Sequence, residues 1–458
     1  MPDRRRLPTW MIVSLVAFLV YSVNLRGDPR YDGFAAVPTA VSIVHDGNLT
    51  LDEYRDVPGF AEHYSISTDD DGRLVGFFPW AVALVAVPAV VAADVAHAVG
   101  IGPGADGAVA AMARWFAVLQ NLTAAAATAL AVGGAYVLVR RRRPAAGGRY
   151  VAVATFAFAF GTSVWSTAAV MLWQHGPSLA ATTWGLVALS RALDAGGPAG
   201  ATAAGRAFVR AGALFLAAYT FRPTNALVLL GAAVVVAVVA RRGLARFAAG
   251  AALVAVPWCS VTYAAYGRLL QPYGAASRLG VHDEFAEALA ANLISPGRGL
   301  FVFTPLALLS VIGAARLVRS RGRDPLMWLA AIVVPVHWVA VSMFGQWYGG
   351  KSYGPRFFTD VLPLLFLLAI TVGGDGELTR ASLRRPAVAG FALLLAAGVV
   401  VHAEGALVLS SGCWSSHPQP IEADPSHVWS WSDALVTKGV RDLVHDPVGA
   451  VRGVCRGE

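Results

Sequence analysis

Long apolar runs recur along almost the whole chain and constrain its fold more than any other feature. Examples are Met11–Val23, Ala226–Ala240 and Ala387–Val401. A helix of about 20 apolar residues crosses a bilayer core about 30 Å thick. Only 14% of the residues are charged, whereas a soluble domain carries about 25%. We therefore predict an all-α, polytopic integral membrane protein.

Basic residues divide the connecting segments into two sets. Six short segments contain 21 of the 36 Lys and Arg residues: Arg4–Arg6, Arg140–Arg149, Arg191–Arg210, Arg241–Arg246, Arg316–Arg323 and Arg380–Arg385. The positive-inside rule places these segments in the cytoplasm. The assignment predicts about 11 transmembrane helices, near residues 8–24, 112–139, 150–172, 177–194, 207–221, 225–240, 245–266, 299–316, 325–344, 357–373 and 387–408. The N-terminus is then cytoplasmic, and residues 25–110 form a long first extracytoplasmic loop with juxtamembrane helices.

One apolar stretch, Phe77–Val99, does not fit this count, because a crossing there would place Arg140–Arg143 outside. We predict that it is embedded in the outer leaflet or re-enters it. Residues 1–408 then form the transmembrane domain, and residues 409–458 form an extracytoplasmic segment too short for an ordinary domain. A disulfide between Cys413 and Cys455 in that segment is one of two alternatives; the other is two free thiols.

Asp32 lies where the first outer loop returns to the membrane surface. A carboxylate at that position can accept a proton from a hydroxyl group. Asp28 is a rival for the same role. Aspartate is also a favoured helix N-cap, so a structural role for Asp32 stays open.

Basic side chains are scarce on the predicted outer side, yet four occur there in short turns rich in Gly and Pro: Arg222, Arg298, Lys351 and Arg356. The planar fork of arginine matches phosphate geometry. We therefore predict that this set binds an anionic group at the level of the lipid headgroups. Each cation taken alone is also explained by a side chain that reaches up to the headgroups.

Polar and aromatic residues in the same outer turns are candidate contacts to a sugar or phosphate: Trp173, Gln174, His175 and Tyr348. Polar side chains at this depth are costly and often functional. A tryptophan at the end of a span is also a common interfacial anchor, and a hydrogen-bonded structural histidine accounts equally for His175. The Cys and His spacing indicates no metal site, and we expect no metal and no cofactor.

Six motifs, in order along nearly the full chain, resemble those of bacterial membrane proteins of the GT-C type: Asn24–Gly27 with Asp32, Asp46–Tyr54, Leu172–Gly176, Ser295–Phe301, Tyr353–Phe357 and Val428–Asp433. This group includes polyprenyl-phosphate-dependent mannosyl-, arabinosyl- and aminoarabinosyltransferases. The resemblance implies a GT-C-like fold, a polyprenyl-phosphate sugar donor and an inverting mechanism. It also implies that an aspartate of the first outer loop acts as the general base, and we assign this role to Asp32. Many members have a second acidic residue in the next outer turn, where this chain has Trp173–His175.

These observations predict a glycosyltransferase of the plasma membrane that acts on the extracytoplasmic face. Its donor is a polyprenyl-phosphate sugar, with decaprenyl-phosphate arabinofuranose first and mannose next. Its acceptor is a cell-envelope glycan, a lipid or a protein. The leaving phosphate has a second pKa of about 6, so it departs without a general acid.

Two other functions stay open. A membrane transporter or lipid flippase places charged residues near the bilayer midplane, and the nearest examples here are Asp360 and His337. A catalytically silent scaffold with a GT-C-like fold is the second. Positive charge in a membrane protein mostly records topology, so nucleic acid is not an expected partner.

Overall fold

A computed structural model of the chain describes residues 7–23, 32–112, 114–195, 201–271, 273, 279–372 and 381–455. These residues form eighteen α-helices: α1 (Thr9–Ser22), α2 (Ala36–His45), α3 (Ala81–Ala98), α4 (Gly104–Ala110), α5 (Arg114–Arg142), α6 (Gly148–Phe160), α7 (His175–Asp194), α8 (Ala201–Phe221), α9 (Ala226–Val239), α10 (Leu244–Tyr266), α11 (Phe285–Ile294), α12 (Leu300–Phe303), α13 (Leu308–Arg319), α14 (Pro325–Ser342), α15 (Leu362–Ala369), α16 (Ala381–Leu407), α17 (Leu435–His445) and α18 (Pro447–Arg452). Strands β1 (Ile66–Thr68) and β2 (Leu74–Gly76) pair antiparallel, with Ser67 opposite Val75.

The all-α class is confirmed, and every predicted span contains helical residues. Within the described residues, five helical segments are long and apolar enough to cross a bilayer: Ala81–Ala98, Arg114–Arg142, Arg241–Tyr266, Pro325–Ser342 and Arg385–Leu407. The first of them is α3, which covers most of the stretch that we predicted to be embedded in the outer leaflet. The number of crossings stays a prediction.

Helix α7 packs between α5 and α8 in the interior of the bundle. Its buried side chains include small and hydroxyl-bearing residues such as Ser178, Thr182 and Ser190. Small residues let neighbouring helices approach closely, and a helix surrounded by protein needs no apolar surface toward lipid. The packing fixes both ends of the helix, with His175 at one end and Asp194 at the other.

Several predicted spans contain irregular helical segments. A π-helix at Val164–Ala168 follows α6, and a 3-10 helix at Arg356–Val361 precedes α15. Departures of this kind from α-helical geometry often mark functional segments. The second of them carries both Arg356 and Asp360.

The first outer segment packs directly against the long helices. Helices α2 to α4 and the hairpin share a buried core around Phe34, Phe60 and Phe116. Gly33 makes the contact close, since a Cβ at this position would lie 2.2 Å from the carbonyl oxygen of Leu172. Asp32 is therefore held beside the turn that leads into α7.

The C-terminal segment also packs against the rest of the chain. Trp414 and Leu435 share a buried cluster with Phe303 and Trp347. A disulfide joins Cys413 to Cys455 with their Cα atoms 5.5 Å apart, which is the pairing considered from the sequence. The domain boundary at residue 408 stays a prediction.

Helices α8 and α10 cross closely at two glycines. A Cβ on Gly212 would lie 1.9 Å from the carbonyl oxygen of Phe247, and one on Gly250 would lie 1.9 Å from that of Val209. Gly212→Ala should therefore lower the melting temperature of the detergent-solubilised protein, by an amount equivalent to about 1–3 kcal/mol. The matched control is Gly390→Ala in α16, where a Cβ meets nothing within 4 Å. Equal melting temperatures for the two variants would contradict this packing.

Candidate active site

An ion pair joins Asp32 to the fifth predicted outer loop, residues 345–356. Its Oδ2 accepts a hydrogen bond from Nη1 of Arg356 at 2.9 Å, and its Oδ1 accepts one from the hydroxyl of Tyr64 at 2.8 Å. Burial raises the pKa of Asp32, but attraction to Arg356, the Tyr64 hydrogen bond and the charge of Arg222 outweigh it, so this pKa lies below its usual value. Asp32 is therefore ionised at neutral pH, although its side chain is only 19% exposed.

A second ion pair, fully buried, lies beside the first. Arg222 donates a hydrogen bond from Nε to Oδ2 of Asp360, and His175 donates from Nδ1 to Oδ1 at 2.9 Å. The hydroxyl of Thr224 donates to the same carboxylate at 3.2 Å. Nη1 of Arg222 donates to Oε1 of Gln174 at 3.1 Å. These hydrogen bonds replace the water molecules that Asp360 loses on burial. A buried carboxylate needs such partners to stay ionised.

The two guanidinium groups flank one aromatic ring. Cζ of Arg356 lies 5.2 Å from the ring centroid of Phe357, and Cζ of Arg222 lies 5.6 Å from it. Arg356 also lies over the ring of Trp173, at 5.0 Å. Cation–π contacts stabilise a guanidinium group without occupying its N–H donors. Nε of Arg356 is buried and has no hydrogen-bond partner among the described residues, so the pair offers positive charge together with a free donor.

A small cavity is lined in part by Asp32. Its volume is about 20 Å³, more than the roughly 10–15 Å³ that one water molecule needs. Gly33, Thr39, Trp80 and Gln174 contribute to its walls. A group the size of a hydroxyl can therefore be placed beside Asp32.

Arg298 has different surroundings from the other two arginines. Its guanidinium group donates hydrogen bonds to three carbonyl oxygens and one hydroxyl, those of Gly297, Tyr348, Gly350 and Ser415. It also lies over the ring of Trp414 at 5.2 Å. With four bonds to protein, Arg298 ties the fifth predicted outer loop to the C-terminal segment.

The predicted site residues thus fall into three groups. Asp32, Arg222, Arg356 and the turn Trp173–His175 come together in one place. Arg298 and Tyr348 bond to each other through the Tyr348 carbonyl, and Lys351 is exposed. The rival base Asp28 lies outside the described residues.

Three residues of the site were not among the predicted site residues. Asp360 was predicted only to be a charge near the bilayer midplane, although a lone carboxylate in an apolar stretch is itself a signal of function. Tyr64 and Thr224 carry no comparable signal, because hydroxyl-bearing residues are common in loops. Their partners, Asp32 and Asp360, lie 32 and 136 positions away along the chain.

Asp360→Asn should destabilise the protein strongly, because it leaves the buried charge of Arg222 without its partner. Breaking a buried pair in this way costs about 3–5 kcal/mol, and thermal unfolding in detergent measures the loss. The control is Asp70→Asn, which removes an exposed carboxylate paired with Arg268 at 3.2 Å and should change stability by less than about 1 kcal/mol. An Asp360 variant as stable as the control would show that the pair is not buried as described.

Comparison with known proteins identifies the fold. The crystal structure of ArnT from Cupriavidus metallidurans in the apo state superimposes with a TM-score of 0.52 at 16% identity, over 89% of this chain and 69% of ArnT. The structure of ArnT from the same organism bound to undecaprenyl phosphate gives 0.49 at 17% identity, over 89% and 68% of the two chains. No family model and no curated protein sequence matches the chain. The chain therefore has the fold of ArnT, which confirms the predicted GT-C-like fold class.

Proposed function

We propose that this protein is an inverting glycosyltransferase that transfers a sugar from a polyprenyl-phosphate donor to an acceptor hydroxyl on the extracytoplasmic side of the plasma membrane. One observation carries the proposal. An ionised carboxylate, two guanidinium groups and a hydroxyl-sized cavity lie in one place, in a chain with the fold of ArnT.

In the proposed reaction, Asp32 accepts the proton of the acceptor hydroxyl as the hydroxyl oxygen attacks the anomeric carbon. The bond from that carbon to the phosphate oxygen breaks on the opposite face of the sugar, and the configuration is inverted. The leaving polyprenyl phosphate keeps the bonding electron pair. It needs no proton, because the second pKa of a phosphate monoester is about 6. No metal and no cofactor takes part.

Arg356 and Arg222 bind the donor phosphate in this proposal. Fixed positive charge stabilises the negative charge that develops on the leaving group, and the free Nε of Arg356 supplies a hydrogen-bond donor. Gln174 and His175 position Arg222, directly and through Asp360.

The remaining predicted residues take other roles. The ring of Trp173 supports Arg356. Arg298 and the Tyr348 carbonyl hold the loop that carries Arg356, and the exposed Lys351 adds positive charge to the same loop.

Arabinofuranose on decaprenyl phosphate is the proposed donor, and mannose is the next candidate. Both sugars occur among the transferases that the sequence motifs resemble. The proposed acceptor is a glycan, a lipid or a protein of the cell envelope. A panel of decaprenyl-phosphate arabinofuranose, polyprenyl-phosphate mannose and polyprenyl-phosphate aminoarabinose separates these donors directly.

Transport is less well supported than transfer. An ion-coupled carrier needs ionisable groups that change partners during its cycle. Asp360 is held by Arg222, His175 and Thr224, and His337 is bonded to the carbonyl of Phe357 at 2.9 Å.

Asp32→Asn should abolish sugar transfer, because an amide cannot accept the proton of the acceptor. The loss of a general base lowers the rate by about 10²–10⁴-fold, while the donor KM stays within a few-fold of the wild type. The assay follows release of polyprenyl phosphate in membranes that contain the envelope acceptors, with Asp70→Asn as the control. Transfer near the wild-type rate by the Asp32 variant would refute its role as base. Solute uptake without any transfer by the wild type would favour the transporter.

Tyr64→Phe should change the pH dependence of transfer. The Tyr64 hydrogen bond lowers the pKa of Asp32, so its removal raises that pKa. Because the reaction needs ionised Asp32, the acidic limb of the kcat/KM profile should move to higher pH. The control is Tyr263→Phe in α10, where the side chain is 60% exposed, and its profile should match the wild type. An unshifted limb in the Tyr64 variant would indicate that another group titrates.

A further inference from the structure

A second cavity lies at the other ends of α7 and α8. It has a volume of about 600 Å³, and its charged wall consists of Arg141, Arg191, Asp194, Arg206 and Arg210. Helix α7 has 20 residues, and a rise of about 1.5 Å per residue makes it about 30 Å long. The basic cavity is therefore separated from the candidate active site by the thickness of a bilayer core.

The positive charge of this cavity is only partly balanced. Asp194 pairs with Arg141 at 2.9 Å and lies 3.8 Å from Arg142. Arg191, Arg206 and Arg210 form no ion pair with any other residue that the structure describes. Arg191 experiences the charges of both Arg141 and Arg210. Cations held at one rim repel each other, so a bound anion would stabilise the arrangement.

The surroundings of the cavity favour a lipid as the source of that anion. Ala195, Ala203 and Ala207 form its apolar wall. Helix α10 packs against α8. Only 11% of the 18-residue apolar stretch in Arg241–Tyr266 is buried within the protein. A molecule with a phosphate at the helix ends and acyl chains along α10 matches both surfaces. Basic pockets between membrane helices bind anionic headgroups in this way.

We propose that the cavity binds the phosphate headgroup of an anionic phospholipid, in the leaflet opposite the candidate active site. The forked guanidinium groups of Arg206 and Arg210 hold the phosphate. The bound lipid anchors the α7–α8 pair, whose far ends carry His175 and Arg222. This site does not depend on the glycosyltransferase assignment, since it requires only that the chain is embedded in a membrane.

The test measures binding of fluorescent phosphatidylglycerol to the full-length protein in detergent micelles. The double substitution Arg206→Gln with Arg210→Gln should weaken binding about 30-fold, which corresponds to about 1 kcal/mol for each arginine. The matched control is Arg319→Gln with Arg323→Gln, which removes the same charge from exposed positions of another basic segment. It should stay within about threefold of the wild type, and melting temperatures establish that both variants are folded.

Further binding and competition measurements distinguish an anionic phospholipid from other ligands. Phosphatidylcholine should bind at least tenfold more weakly than phosphatidylglycerol, and neither inorganic phosphate nor glycerol 3-phosphate should compete at equal concentration. Equal loss of binding in the two double variants would overturn the site. Equal binding of phosphatidylcholine would overturn the preference for an anion. Effective competition by glycerol 3-phosphate would overturn the lipid as its source.

Discussion

The ion pair between Asp32 and Arg356 is the interaction on which the rest of the candidate site depends. It joins residues 324 positions apart and brings the first and fifth predicted outer loops to the start of α7. A charged side chain that is removed from bulk water needs a partner of opposite charge. Each of the two loops supplies that partner to the other. The contact is possible because Gly33 lets the first loop lie against the carbonyl of Leu172.

The cations of the candidate site are recognisable in the sequence, but the surroundings of each cation are not. Arg298 and Arg356 both occur in short turns with Gly and Pro, and both were predicted to bind phosphate. The structure directs four N–H bonds of Arg298 to protein oxygen atoms, including the hydroxyl of Ser415, 117 positions away. In Arg356, Nε has no hydrogen-bond partner within the part of the chain that the structure describes. Such partners come from distant segments of the chain. Local spacing therefore predicts which residue types lie on the outer side, but not which of their N–H donors can bind a ligand.

The same limit explains which parts of the fold were predictable. Hydropathy detects helices that face lipid. Helices α10 and α16 do so, since only 11% of the 18-residue apolar stretch in each is buried. Helix α7 is 20 residues long but is absent from the five apolar segments, because protein surrounds it and hydroxyl groups replace its apolar surface. Conversely, α3 is apolar enough to cross, with a mean hydropathy of 2.0, while the distribution of arginines argues against a crossing. The composition of a segment reflects its average surroundings, whether lipid or protein. Whether the segment crosses the membrane depends on the segments next to it in the chain.

The ion pair also bears on how the proposed base operates. A carboxylate whose pKa is depressed by Arg356 is a weak proton acceptor, which on its own argues against general base catalysis. In the proposed reaction, however, the donor phosphate is a second anion for the same guanidinium group. A phosphate that draws Arg356 away from Asp32 removes the largest attraction that lowers the pKa, and burial then raises it. In the proposed reaction, donor binding would therefore make Asp32 more basic, and the carboxylate would be ready to accept a proton only after the sugar donor is in place.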